Sequence, residues 1–184
     1  EGLTFDKGVF EELLVKSSFD FSDIQKNLAF LKGYKTEGNI SSQDITEAIP
    51  KSLQDNIFDM TQLLLRGQIQ DVRELVHDLR LQGEDEIKLI AVMLGQFRTY
   101  LQVKLLSAQG KSEQQIVSSL SDYLSRKVNP FQVRYAIRDS RHLSVAFLKT
   151  TIKTLVETDY QIKTGTLDKD YLLDLALLKI ASNS

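Results

Sequence analysis

The stretch EDEIKLIAVMLGQFRTYLQVKLLSAQ, Glu84–Gln109, decides the fold class. Ile87, Ile90, Ala91, Leu94, Phe97, Leu101 and Leu105 recur at helical spacing along it. Apolar residues cover much of its circumference rather than one stripe. That pattern predicts a long helix running through the middle of a bundle. The stretch opens on Glu84, Asp85 and Glu86, three acids suited to the positive end of a helix. Gly83 precedes it and Gly110 follows it, each placed to end a helix.

The same periodicity continues outward. On the carboxyl side, Ser112 caps a helix carrying Ile116, Val117, Leu120 and Leu124. Asn129-Pro130 supplies a cap followed by proline at the first helical position, and that helix is expected to reach about Arg141. Ser144 caps the next, which runs to about Thr164 and stops at Gly165. Asp168 caps the last, with Leu172, Leu175 and Ala176 along it. On the amino side, Asp55 to Arg66 carries Ile57, Met60, Leu63 and Leu64, and Gln68 to Gln82 carries Val72, Leu75, Val76 and Leu79. The first fifty residues predict helices over about 6–16 and 22–34, a turn at 35–39 around Gly38, and a short helix behind a Ser41–Asp44 capping pair. No segment reads as a strand. The expected fold class is all-α, a small helical piece followed by a helical bundle.

The boundary is expected near Pro50, because proline disfavours helical geometry at Ile49. Charge changes there too. Residues 1–50 hold five Lys/Arg against nine Asp/Glu, whereas the rest hold 18 against 16. Over all 184 residues the formal charge is −2, so there is no global pull toward nucleic acid. The absence of cysteine excludes a disulfide framework, a thiolate metal site and a cysteine nucleophile. The two histidines, His77 and His142, are too few for a multi-histidine metal centre. No apolar run approaches the roughly 18 residues of a membrane span, and Glu1-Gly2-Leu3-Thr4-Phe5 has no signal-peptide core. A cytoplasmic location is expected, and the absence of an initiator Met suggests a processed chain or a piece of a longer one.

Catalytic patterns fail on inspection. Gln109-Gly110-Lys111-Ser112 ends like a phosphate loop, but position 105 is Leu rather than Gly and a helix precedes it in place of a strand. Neither histidine has a serine and an acid at readable spacing. No cofactor, metal or catalytic residue is expected.

The feature above background is basic. Arg134, Arg138 and Arg141 are spaced four and three apart, which places them on one face of a helix. Arg126 and Lys127 precede them, and Lys149 and Lys153 lie on the next helix. Asp139 is the only acid between 126 and 153. Such a face serves as a contact for DNA phosphate or an acidic partner subunit, or it is only solvated. Lys163 and Lys169 flank the Gly165 turn and join the candidate contact set. Lys163 also stands in an i,i+4 acid-to-base pair with Asp159.

Six stretches, in order along the chain, resemble a known family. LVETDYQIKTG (155–165) resembles the near-terminal motif of the bacterial DNA polymerase III delta subunit, a subunit of the sliding-clamp loader. DNIFDMTQLLLRGQIQDVRELVHDL (55–79), VMLGQFRTYLQVKLL (92–106) and NPFQVRYAIRDSRHLS (129–144) are similar to that family's third domain. ISSQDITEAIP (40–50) and FDFSDIQKNLAFLKGY (19–34) are similar to its AAA+ lid. The resemblance implies part of the lid at 1–50 and a helical collar at 51–184. It further implies a non-catalytic part of the polymerase holoenzyme without an ATPase site. It implies collar contacts with the motor (gamma/tau type) and delta-prime subunits, indirect contact with primer–template DNA, and clamp contact through a domain not included here. A sister clamp-loader subunit, or a free-standing helical nucleic-acid-binding regulator, is the alternative.

Overall fold

Side-chain caps set most of the helix starts. The computed structural model describes residues 2–17, 20–165 and 167–183; Phe19 of the lid-like stretch lies outside them. The chain divides into two compact units, residues 1–51 and 52–184.

The first unit runs β1 (Leu3–Phe5), α1 (Val9–Lys16), α2 (Phe21–Tyr34), β2 (Gly38–Ile40) and α3 (Ser42–Ala48). Asp20 accepts from the backbone N–H groups of Ser22 and Asp23 to open α2, and Ser41 and Asp44 close a reciprocal capping box on α3. α1 begins three residues later than the periodicity suggests, because Gly8 turns the chain with φ of 85°. The larger correction is the strand pair. β1 and β2 lie parallel, with Leu3 opposite Gly38, Thr4 opposite Asn39 and Phe5 opposite Ile40. The turn expected at 35–39 therefore contains the start of a strand. Three residues are too few to show alternation, and the partner lies beyond two intervening helices, so no local pattern carries it. Val9, Leu13, Leu31, Ile40, Ile45 and Ile49 form this unit's core.

The second unit is wholly helical among the described residues: α4 (Leu53–Leu65), α5 (Ile69–Leu81), α6 (Glu86–Ala108), α7 (Glu113–Leu124), α8 (Pro130–Asp139), α9 (Val145–Lys163) and α10 (Lys169–Ala181). A Ser52–Asp55 capping box starts α4 two residues before the expected point. Gly67 at φ 70° ends it in a Schellman turn, with Gln68 N–H donating to the Leu63 carbonyl at 3.0 Å and Gly67 N–H to that of Leu64. α6 is the axis of the bundle and packs against α4, α7, α8, α9 and α10. Leu89, Ile90, Met93, Phe97 and Val103 are fully buried along it. The Phe97 ring meets Tyr100 and Phe147 edge-on, at centroid distances of 6.0 and 6.5 Å.

Candidate interaction surface

Basic residues of the second unit divide by whether the fold supplies them an acid. On α8, positions 131, 134, 135 and 138 share one exposed face. Arg134 is clamped by Glu113 at the start of α7, with Nε at 3.1 and 3.2 Å from the two carboxylate oxygens and Nη2 at 2.9 Å. Its guanidinium also lies 5.6 Å from the centre of the Phe131 ring. Arg138 donates to Asp139 at 2.8 Å and sits 5.0 Å over Tyr135. Arginine stacked on an aromatic face is attracted by the ring quadrupole.

Arg141 departs from the sequence reading. α8 ends at Asp139, so Arg141 stands in the turn beyond it and not on the helix face. The chain turns there because Ser140 caps the helix and Lys104 on α6 donates to the carbonyls of Ser140 and Arg141 at 3.1 Å each. Lys149 and Lys153 are exposed on α9. Lys153 faces Glu157 at 3.7 Å, and Lys163 is held by Asp159 at 2.7 Å. Lys169 reaches across to the start of α6, with Asp85 at 2.7 Å and Glu86 at 2.9 Å. Of the seven expected contact residues, Arg141 and Lys149 have no acidic partner within 4 Å among the described residues.

Two features escape the sequence reading. One is the aromatic half of the α8 stripe. Its i,i+4 spacing, Phe131 to Tyr135, interleaves with that of Arg134 and Arg138 and was visible in the sequence. The other is an ionic network with no local signal. Arg80 on α5 donates to Glu86 at 2.9 Å and reaches Asp174 on α10 at 3.3 Å, 94 residues away. Glu86 is almost fully buried. Burial pushes its carboxyl up, but hydrogen bonds with Lys169, its own backbone N–H, Asp170 and Arg80 outweigh this and hold it at about 2. Asp170 beside it is raised, chiefly through its hydrogen bond with Glu86.

The phosphate-loop-like residues are a helix stop and a capped start. Gly110 has φ of 76°, Ser112 forms a capping box with Gln115, and the Lys111 ammonium donates to Ser119 Oγ at 2.8 Å. Among the described residues no group of three or more His, Asp or Glu converges as a metal site. No described helix is long and apolar enough to cross a membrane.

Residues 54–180, nearly all of the second unit, match the family described as DNA polymerase III delta subunit, C-terminal domain. The chain belongs to the DNA polymerase III delta subunit family. Within that family it is 35% identical over 160 residues to DNA polymerase III subunit delta of Bacillus subtilis (strain 168), a match spanning 87% of this chain and 44% of the relative. Among solved structures it resembles the Bacillus subtilis DNA clamp loader delta protein (YqeN), with a TM-score of 0.84 and 30% identity over 97% of this chain and 51% of that one. The chain thus spans about half the length of the delta proteins it matches.

Proposed function

We infer that this chain is the lid and collar part of a clamp-loader delta subunit, a cytoplasmic assembly module with no chemistry of its own. Residues 1–50 act as part of the AAA+ lid, and 51–184 act as the collar, which joins motor-type and delta-prime subunits. Clamp contact then belongs to a domain outside this chain, and DNA is met only indirectly. The observation that carries the reading is an apolar seam on α10. Tyr171 (56% exposed), Leu175 and Leu178 (50% exposed) lie at i, i+4 and i+7 on one side of a helix whose other side is core. Leu167, just before the helix, is 57% exposed. Apolar side chains aligned along one helix edge suit a partner surface better than solvent. The test is Tyr171→Glu with Leu178→Glu. Circular dichroism should keep its helical signal, while light scattering of the chain mixed with motor and delta-prime subunits should show the complex lost. Complex formation unchanged by both substitutions would remove the seam from the assembly.

A second reading, direct contact with nucleic acid, is favoured by the α8 stripe of stacked arginines and aromatics. Arg134 and Arg138 are already paired to acids, so the informative variants are Arg141→Glu and Lys149→Glu. Salt-sensitive binding that these reversals abolish supports the reading, and binding they leave unchanged dismisses it.

A further inference from the structure

α9 turns one face into the bundle and leaves the other exposed. Leu148, Thr151, Leu155 and Thr158 are buried on the inner face of this helix, which packs against α6 and α10. On the opposite face Lys149, Lys153, Val156, Tyr160 and Lys163 follow one another at intervals of four, three, four and three residues. All five are exposed, Val156 by 42% and Tyr160 by 68%. That spacing keeps side chains in a straight ridge, the kind along which a second helix packs. From Lys149 to Lys163 the ridge is roughly 21 Å long.

The two halves of the ridge differ in chemistry. The first carries Lys149 and Lys153, and the sequence has no acid from Ser140 to Val156. Lys149 has no acidic partner within 4 Å among the described residues, and Lys153 is met loosely, by the exposed Glu157 at 3.7 Å. The second half carries Val156 and Tyr160, with Glu157 and Asp159 beside them and Lys163 tied to Asp159 at 2.7 Å. Two carboxylates next to the one aromatic residue of the ridge repel a phosphate chain, and base stacking along a strand asks for more than one ring. Neither carboxylate opposes an apolar side chain laid over Val156 and Tyr160. We propose that this face of α9 seats an amphipathic helix of a partner protein, whose apolar residues cover Val156 and Tyr160 and whose carboxylates reach Lys149 and Lys153. The charge at one end fixes the direction in which that helix lies, because the reverse direction sets its acids against Glu157 and Asp159. The face lies on a different helix from the Tyr171–Leu178 seam. The partner meant is a neighbouring clamp-loader subunit, so the inference rests on the collar reading.

The test titrates the fluorescently labelled 184-residue chain with motor-type and delta-prime subunits, at low salt and at about 500 mM salt. Tyr160→Ala should weaken binding about tenfold or more. Lys149→Glu with Lys153→Glu should weaken it about tenfold at low salt and much less at high salt. Circular dichroism should keep the helical signal of both variants, since all three side chains are exposed. A parent chain that binds neither subunit overturns the collar reading and this face with it. If the parent binds, either variant binding as tightly as the parent overturns the α9 face and leaves the collar reading standing. Losses confined to primer–template DNA, with subunit binding unchanged, give the face to nucleic acid and overturn the proposal.

Discussion

Glu86 is a buried acid whose pKa is displaced downward, from an ordinary 4.5 to about 2. Burial opposes that direction, so the hydrogen bonds from Lys169, the Glu86 backbone N–H, Asp170 and Arg80 together must exceed the cost of desolvation. Because the folded value lies below the unfolded one, the contribution to stability is complete above about pH 4.5 and is lost as pH falls through 2. A displacement of this size corresponds to at most about 3 kcal/mol, and the opposite shift of Asp170 trims it. Urea midpoints between pH 5 and pH 2 should fall more steeply in the parent chain than in Glu86→Gln. Removing one partner is more damaging than removing the acid's charge. Lys169→Met should cost about 2 kcal/mol at neutral pH, since Arg80 remains to hold the buried carboxylate. Equal acid slopes for parent and Glu86→Gln would show that the network fixes geometry without adding stability.

α6 carries a glycine in mid-helix. Gly95 is exposed, and a Cβ built there meets nothing within 4 Å. Its backbone is helical, so Gly95→Ala should raise stability by about 1 kcal/mol through the backbone entropy of the unfolded chain. Urea unfolding measures the gain. If the same variant also weakened assembly with other clamp-loader subunits, the exposed edge of α6 would be a place where a partner backbone comes close. The length and central position of this helix were legible in the sequence, as were the caps at Ser41, Ser112, Asn129, Ser144 and Asp168, because each depends on residues within four positions. β1 and β2 were not legible, since their pairing joins residues 35 apart with no alternation to announce it. The basic face was half legible. Spacing placed Arg134 and Arg138 together, but their charges are answered by Glu113, 21 residues from Arg134, and by the adjacent Asp139. Arg141 leaves that face because it stands two residues past the helix end at Asp139, a stop that the spacing of the arginines does not show.

At the scale of the whole molecule, the second unit carries a core of its own, centred on Leu89, Ile90, Met93, Phe97, Leu148, Leu155, Leu173 and Leu177, which among the described residues draws none from the first fifty. A domain with a self-contained core folds alone when its boundary cuts no packed element. The boundary here offers such a point. Ser52 accepts from Asp55 N–H and donates its own N–H back to the Asp55 carboxylate, closing the first turn of α4. A chain beginning at Lys51 keeps that box, whereas one beginning at Leu53 loses it at a cost of about 1 kcal/mol. Residues 51–184 are therefore expected to unfold cooperatively in urea, with a midpoint above that of residues 53–184. If the collar reading is right, the longer piece should also enter a complex with motor and delta-prime subunits in light scattering. If the collar packs in a ring, two different flanks meet two different neighbours, so the isolated piece should remain monomeric. On the same reading it should neither bind nor open a sliding clamp, since that reading gives the clamp contact to a domain outside these residues. Tight clamp binding by residues 51–184 alone would overturn the proposed division of labour.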